Sequence, residues 1–246
     1  MPALTDKLLG REKRISSNIE KYSKLFEIDP NLVRALITQE SAFIPDATSP
    51  TGAYGYGQFT GIGAKQVYRD IAQMNEDAAD LASFTKNQAS DPDVGIKAIC
   101  AYLWWLYHVK YANVKDKAVR LEASLTFYNA GGNPAVLVVR HGGHKNALPF
   151  IQQLPKNMRG QSEKYAPQVA AWFLKWHGYY KKEEDVVTPP PVEVALPTGD
   201  VNELSAKHNA LVAILKWVGS TDNDVDVFTN SRDGLTEVTI ILPGEN

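Results

Sequence analysis

Residues 29–59 read DPNLVRALITQESAFIPDATSPTGAYGYGQF, and this stretch predicts a helix that leads into a glycine-rich loop. Asp29 followed by Pro30 is typical of an N-cap and a first helical position, so we expect a helix over residues 31–39. Glu40 follows Leu36 by four positions, so it continues the apolar side of that helix. The residues that form this apolar side are Leu32, Val33, Leu36 and Ile37.

Glu40 is the candidate catalytic residue. A carboxylate on a buried helix face loses hydration, which raises its pKa, and the negative end of the helix dipole acts in the same direction. A glutamate that stays protonated near neutral pH can donate to a leaving oxygen, as in the cleavage of a glycosidic bond. The same position also fits a glutamate at a frayed helix end that points to solvent, and the helix alone favours that simpler interpretation.

The loop after Glu40 is rich in glycine and tyrosine. Gly52, Gly55 and Gly57 alternate with Tyr54 and Tyr56. Glycines let a backbone approach a ligand closely, and aromatic faces suit sugar rings. Most glycine-rich loops are simple turns, so this loop by itself is weak evidence of a site.

Three later segments add to these motifs. They are DPDVGIKAICAYLWWL from Asp91, TFYNAGGNPAV from Thr126 and SEKYAPQV from Ser162. Together with the Glu40 stretch they resemble, in order, the motifs of the soluble lytic transglycosylase family over roughly residues 29–170. The first motif of that family is E-S-x-F-x-P-x-A-x-S-x-x-G-A-x-G-L-M-Q, and it is matched by Glu40, Ser41, Phe43, Pro45, Ala47, Ser49, Gly52, Ala53, Gly55 and Gln58.

The chain departs from the family pattern at a few positions. Tyr56-Gly57 stands where the family has Leu-Met beside the substrate groove, so contacts with the sugars are expected to differ. The proline that often follows the motif glutamine is replaced by Gly61. The second glycine pair lacks the usual Gly-Pro order, and Glu163 precedes Tyr165 by only two positions.

The resemblance implies a mechanism with a single carboxyl group. Glu40 would protonate the bond between N-acetylmuramic acid and N-acetylglucosamine and would then act as base while the muramoyl 6-hydroxyl attacks C1. The product would be a 1,6-anhydro sugar. The substrate-binding residues that it implies or suggests are Ser49, Tyr56, Gln58, Tyr128, Asn129 and Tyr165.

Some of these residues have specific expected roles. Ser49 would lie near the substrate acetamido group or near Glu40, and Gln58 would contact sugar. Tyr128 and Tyr165 would line the cleft and orient the acid. Core packing with a bonded hydroxyl is an equal alternative for both tyrosines.

Two other functions stay open. Goose-type lysozymes share this scaffold and hydrolyse the bond with water; the nearby candidates for a water-activating base are Asp46, Asp91 and Asp93, of which Asp91 is better explained as a helix cap. A non-catalytic, wall-binding protein of a virion could also keep the same fold.

Composition fits a globular enzyme without a cofactor. The 246 residues are 44% hydrophobic, which is enough for one sizeable core and a small extra module. Cys100 lies in an apolar helix and is expected to be buried. His141 and His144 flank two glycines and indicate an exposed loop. Cysteine and histidine do not cluster at metal-binding spacing, so we expect no metal. We also expect no cofactor and no nucleic-acid partner.

The N-terminal 28 residues predict one polar amphipathic helix, with no run of signal-peptide length. No segment of the sequence predicts a membrane span. An enzyme for peptidoglycan without a signal is expected to leave the cytoplasm another way. We therefore expect a phage protein, in the virion or in the host cytoplasm before delivery, with a secretion apparatus as the other route.

The chain is expected to divide near residue 185. Residues 1–185 would form a mainly α, lysozyme-like catalytic domain, and residues 186–199 a proline-rich linker. Residues 200–246 would be a small α+β segment with a helix over 200–218 and a β-hairpin joined by NSRDG. Such a short segment makes a marginal core, so we expect it to dock on a partner or to form oligomers.

Overall fold

The computed structural model of the chain describes residues 3–159 and 161–185 and two strands near the C-terminus. The described part is mainly helical, as predicted. The α-helices are α1 Asp6–Lys13, α2 Ser16–Leu25, α3 Pro30–Ser41, α4 Gly61–Gln66, α5 Ala72–Met74, α6 Pro92–Trp105, α7 Lys117–Ala130, α8 Gly132–Arg140, α9 His144–Ile151, α10 Lys156–Arg159 and α11 Tyr165–Asp185. Shorter 3₁₀ and π turns complete the helical region: Val67–Ile71, Glu76–Ser83, Lys86–Ser90 and Leu106–Lys110.

Helix α3 forms for the local reasons that its sequence predicts. The Asp29 carboxylate accepts a hydrogen bond from the backbone N–H of Asn31 at 2.6 Å, and Pro30 occupies the first turn. The helix ends at Ala42, whose φ of 48° is left-handed. Its apolar side is buried, and so is its polar residue Thr38. Helix α3 is therefore a central element of the core.

Helix α11 packs along α3. The indole N–H of Trp176 donates to the hydroxyl of Thr38 at 2.8 Å, and its ring meets the edge of Phe43 at 5.5 Å between centroids. Trp176 and Phe43 are almost completely buried. These contacts join α11 to α3 and to the turn after Glu40. They therefore fix the position of α11 relative to Glu40.

A buried ionic cluster ties α3 to both ends of the helical region. The guanidinium of Arg34, 1% exposed, donates to Glu12 on α1 at 2.7 Å and to Glu20 on α2 at 2.5 Å. Tyr180 on α11 donates to the same oxygen of Glu12 at 2.7 Å, and its ring lies 3.9 Å from the Arg34 guanidinium carbon. The buried charges are therefore paired, which a protein interior requires.

Helix α6 begins at the predicted cap. Asp91 accepts hydrogen bonds from the backbone N–H groups of Asp93 at 2.8 Å and Val94 at 3.2 Å. Cys100 lies in this helix with no exposed surface, as predicted, and burial raises the pKa of its thiol to about 12. A thiol of that kind has little thiolate and is inert.

Two local predictions were wrong. The N-terminal region is two helices, α1 and α2, because the backbone leaves the helix at Arg14 and Ile15. His144 is not in an exposed loop: it begins α9 and is 3% exposed, because its backbone and ring both bond to buried partners.

Near the C-terminus, β1 Asp226–Arg232 pairs antiparallel with β2 Leu235–Ile241. Asp226 lies opposite Ile241, and Arg232 lies opposite Leu235. The predicted linker over 186–199 and the predicted helix over 200–218 lie outside the described residues. Within the residues that the structure describes, none of the helices has both the length and the apolar character needed to span a bilayer.

Candidate active site

Glu40 lies in the last turn of α3 and is half-buried. Removal of the carboxyl group from water raises its pKa to about 7, against an ordinary value of 4.5. A hydrogen bond from Tyr165 acts in the opposite direction, and desolvation is the larger effect. At neutral pH the group therefore exists in both protonation states, which suits a residue that must give and take a proton.

Tyr165 is the first residue of α11 and is 1% exposed. Its hydroxyl donates to Oε1 of Glu40. Burial, and then the negative charge of Glu40, raise the pKa of the Tyr165 phenol well above its usual value. The phenol therefore stays protonated and remains a donor to the acid.

Tyr128 approaches the same carboxyl group from α7. Burial, and then the charge of Glu40, raise the pKa of its phenol well above its usual value. Its hydroxyl donates to the backbone oxygen of Gly57 at 2.9 Å. The structure thus brings Tyr128 and Tyr165 close enough to Glu40 for its charge to affect the pKa of both phenols. Tyr128 also fixes the glycine-rich loop through its bond to Gly57.

Close packing around Gly57 leaves no room for a side chain at this position. A Cβ atom there would lie 2.6 Å from the Tyr128 hydroxyl and 2.6 Å from Ile99. Ordinary Cβ atoms essentially never come so close to another atom, so the glycine at position 57 leaves room for the Tyr128 hydroxyl and the Ile99 side chain.

The loop over residues 42–59 packs closely against the segment that precedes α6. Gly55 has a φ of 81°, and a Cβ there would lie 2.4 Å from the backbone of Ala89. A Cβ on Gly95 of α6 would likewise lie 2.4 Å from the oxygen of Ala89. Lys86 donates from Nζ to the oxygen of Gly52 at 2.9 Å. The segment before α6 therefore supports the loop and requires glycine at the positions of closest contact.

Ser49 and Gln58 bond within this loop. The Ser49 hydroxyl accepts from the backbone N–H of Ala53 at 3.0 Å and lies 3.0 Å from the hydroxyl of Thr51. The Gln58 side chain donates to the backbone oxygens of Ala47 at 2.8 Å and of Gly55 at 3.0 Å. Both residues shape the loop, and their contacts with sugar stay predictions.

Tyr56 is 5% exposed, and its backbone N–H donates to Ala89 at 3.0 Å. Its ring faces a cavity of about 240 Å³ in which Glu40 is not a lining residue. The cavity is lined by Arg11, Arg14, Phe43, Ile44, Pro45 and Tyr56. A direct contact between Tyr56 and substrate also stays a prediction.

Asn129 follows Tyr128 on α7. Its side-chain oxygen is buried and has no hydrogen-bond partner among the residues that the structure describes. A buried acceptor without a hydrogen-bond partner usually costs about 1–3 kcal/mol of stability.

The other candidate carboxylates have different roles or surroundings. Asp91 caps α6. Asp93 accepts from Lys21 at 3.1 Å and from Asn18 at 3.2 Å. Asp46 is exposed. Across the described part of the chain, no cluster of three or more acidic, histidine or cysteine side chains could hold a metal ion.

Sequence reasoning missed several supports of the site. The bond from Lys86 to Gly52 and the burial of His144 depend on contacts between distant segments, which spacing does not reveal. Gly95 did carry a signal, because a glycine inside an apolar helix often marks a close backbone approach.

The chain matches the model of the transglycosylase SLT domain over residues 17–148. It is also 29% identical over 136 residues to the endo-type membrane-bound lytic murein transglycosylase A of Salmonella paratyphi B, Salmonella enteritidis and Salmonella typhimurium. The aligned region covers 55% of this chain and 63% of each relative. The matched region contains Glu40, the glycine-rich loop and Tyr128, whereas Tyr165 follows it. Since the match extends over more than half of the residues, the chain belongs to the transglycosylase SLT domain family.

Proposed function

We propose that this chain is a lytic transglycosylase of peptidoglycan. It would cleave the β-1,4 bond between N-acetylmuramic acid and N-acetylglucosamine and form a 1,6-anhydro end. The observation that carries the proposal is Glu40, a half-buried carboxyl group with a pKa of about 7 that accepts a hydrogen bond from Tyr165. Membership of the family and the names of the Salmonella relatives support it.

In the first step Glu40 donates its proton to the glycosidic oxygen. The bond from C1 of the muramoyl sugar to that oxygen breaks, and N-acetylglucosamine leaves with a new 4-hydroxyl group. Tyr165 then stabilises the carboxylate that remains, because a donor favours the charged form. The substrate's own acetamido group would assist at C1.

In the second step the Glu40 carboxylate takes the proton of the muramoyl 6-hydroxyl. The 6-oxygen forms a bond to C1, which closes the anhydro ring and returns the acid to its starting form. No water molecule is consumed in either step. A pKa near 7 suits both steps, since the same group must be acid and then base near neutral pH.

We propose that Asn129, next to Tyr128 on α7, binds substrate after a local movement that exposes its side-chain oxygen. Its buried, unpartnered oxygen can accept an N–H or O–H donor of a sugar. We propose that Ser49, Tyr56 and Gln58 act mainly by shaping the loop that the sugars meet. Their hydrogen bonds and burial within the loop support that role.

A hydrolytic, goose-type reaction is the second candidate. It needs a second carboxylate, about 5–9.5 Å from the acid, to activate water or attack the sugar. The capping role of Asp91 and the ion pair of Asp93 favour the single-carboxyl mechanism over this one. Asp46 remains the candidate base for hydrolysis, because it is exposed in the loop next to Glu40.

The deciding experiment is mass spectrometry of the products released from intact sacculi. Anhydro-muramoyl ends are expected from the native chain and from Asp46→Asn, and no product is expected from Glu40→Gln. The exposed Glu76→Gln is the matched control. Reducing muramoyl ends that vanish in Asp46→Asn would establish hydrolysis instead. A native chain that binds sacculi but releases nothing would indicate the non-catalytic, wall-binding protein.

We propose that residues 200–246 dock on a partner or on a second copy of the chain, and that a virion or a secretion apparatus carries the enzyme to the wall. Both remain predictions. Deletion of residues 190–246 tests the first: full activity and full wall binding are expected. Lost wall binding with retained turnover of short glycans would assign the segment to the wall instead.

A further inference from the structure

The turn before Tyr165 is held by a buried histidine. The ring Nε2 of His144 lies 2.7 Å from the backbone oxygen of Ser162, three residues before Tyr165. Because a carbonyl only accepts, Nε2 carries the hydrogen in this contact. His144 is 3% exposed and Ser162 is not exposed at all. The bond is therefore shielded from competing water.

His144 is itself fixed in place. Its backbone N–H donates to Oε2 of Glu122 at 2.7 Å. Gly143, with a φ of 127°, brings the backbone so close that a Cβ there would lie 3.0 Å from the same oxygen. Glu122 is on α7, the helix that also carries Tyr128. One helix thus supports both tyrosines, Tyr128 directly and Tyr165 through His144.

We propose that His144 is a positioning residue for the acid: its ring holds the start of α11 so that the Tyr165 hydroxyl meets Glu40. The inference rests on the proposed function, in which Glu40 is the acid. The path is a series of hydrogen bonds from Glu122 to His144 and from His144 to Ser162, and it continues through three residues of backbone to Tyr165, which donates to Glu40.

The effect of His144 is expected to be local. Further along α11, Gln168 accepts from Gln39 at 3.2 Å and Trp176 donates to Thr38, so most of the helix is fixed independently of His144. Other described contacts also restrain the turn. The Ser162 hydroxyl and backbone N–H donate to the oxygen of Arg159, Arg159 donates to the oxygen of Gln152 at 2.9 Å, and Arg159 pairs with Glu163 at 3.0 Å, a partly exposed and so weaker contact. Among these, the bond from His144 to Ser162 is the fully buried side-chain contact. Loss of the histidine would therefore displace the first turn of α11, which contains Tyr165.

Two titratable groups face Glu40 from the elements packed against it, Tyr165 from α11 and Tyr128 from α7. Both phenols stay neutral near pH 7 because burial raises their pKa. When Tyr165 moves away, the Glu40 carboxylate loses a donor, and its pKa rises further. The activity that depends on protonated Glu40 then persists to higher pH, while the second step, which uses the carboxylate as base, becomes slower near neutral pH.

The test compares His144→Leu and His144→Asn with His144→Gln. Leucine has no donor, and asparagine is too short to reach Ser162. Glutamine can place its amide N–H near the former Nε2 position. The matched control is His141→Leu, since the His141 ring stacks on Phe150 at 3.9 Å between centroids, and the described hydrogen bonds of His141 are made by its backbone. The measurements are the pH profile of kcat and the titration of the Glu40 carboxyl carbon by NMR.

For His144→Leu and His144→Asn we expect the high-pH limb and the Glu40 titration to move to higher pH, in the direction of Tyr165→Phe and by less. We expect kcat at pH 7 to fall roughly 3- to 10-fold, a small part of what a positioned acid contributes. His144→Gln should restore the pH dependence and kcat. In a chain that already carries Tyr165→Phe, replacing His144 should cause no further shift of the Glu40 titration.

An unchanged Glu40 titration in His144→Asn, with only a lower unfolding midpoint, would overturn the inference and leave His144 a purely structural residue. If His144→Leu does not fold, the Asn and Gln pair decides alone. The NMR titration needs no turnover. An inactive native chain would therefore contradict the proposed function without affecting this test.

Discussion

Tyr165 donates a hydrogen bond to Glu40 across 125 positions of sequence. The two residues lie at the start of α11 and the end of α3, and the packing of these helices keeps them together. The acid lies inside the region matched by the family model, and its donor lies beyond it. The protonation of Glu40 therefore depends on a helix that the family match does not include.

Replacement of Tyr165 by phenylalanine should raise the pKa of Glu40. The hydroxyl stabilises the carboxylate, so its loss favours the protonated form above the present value of about 7. The high-pH limb of the activity profile should move to higher pH, and kcat at pH 7 should fall by about 10-fold or more as the base step slows. Tyr107→Phe is the control, and an equal change in that variant would contradict the assignment.

Substitution of Gly57 by alanine should damage the site through Tyr128. The new methyl group would lie 2.6 Å from the Tyr128 hydroxyl and from Ile99, so the tyrosine must shift and its bond to Gly57 must weaken. Overpacking of this kind costs about 1–3 kcal/mol. Urea unfolding and turnover of sacculi check both effects.

Gly61→Ala is the matched control for that substitution, because no atom lies within 4 Å of a Cβ there. It should keep full activity and be slightly more stable, since alanine favours the helix. If Gly57→Ala behaves in the same way, space at Tyr128 is not what selects the glycine.

Asn129→Leu should separate stability from function. The unpartnered oxygen of Asn129 is a cost in the free protein, so an apolar side chain of similar size should raise the free energy of unfolding by about 1 kcal/mol. If a sugar donor uses that oxygen, kcat/KM should fall by about 10-fold through KM. A less stable variant with unchanged kcat/KM would show that Asn129 serves the fold alone.

Glu122→Gln should make stability less dependent on pH. Burial raises the pKa of Glu122 to about 7 in the folded chain, against 4.5 when unfolded. The folded state therefore holds a proton that the unfolded state loses, so stability falls as pH rises from about 4.5 to 7. The group accounts for about 3 kcal/mol of this fall at most.

Chemical denaturation at pH 5 and at pH 8 measures this difference. The native chain should lose more free energy of unfolding between the two values than Glu122→Gln does. Asp29 and Glu40 have pKa values raised in the same direction, so some dependence should remain in the variant. An equal loss in both proteins would mean that Glu122 is not protonated in the fold.

Local chemistry made part of this molecule predictable. The cap at Asp29, the buried side of α3 and the place of Glu40 follow from residues within a few positions of one another. Asp91 capping α6 and the burial of Cys100 follow in the same way. These features depend on helix period and capping, which are present in the sequence itself.

The remaining features depend on which distant segments meet. The sequence does not reveal that Arg34 on α3 pairs in the core with Glu12 on α1, because the two residues lie on different helices, 22 positions apart. Two histidines beside two glycines suggested a loop, but the partners of His144 lie 22 and 18 residues away. Similarly, the sequence left Gly57 as part of either a simple turn or a loop that approaches a ligand, whereas the hydroxyl of the distant Tyr128 fills the space beside it.

The Arg34 cluster has a consequence for how the protein can be divided. A fragment cut to residues 17–148 would remove Glu12, Ser16 and Tyr180, and of the described contacts it would leave the Arg34 guanidinium with the exposed Glu20 and with Asn31 at 3.4 Å. Loss of one member of a buried ion pair costs about 3–5 kcal/mol, a large share of the stability of an ordinary domain. The region matched by the family model is thus shorter than the region that this chain needs in order to fold stably.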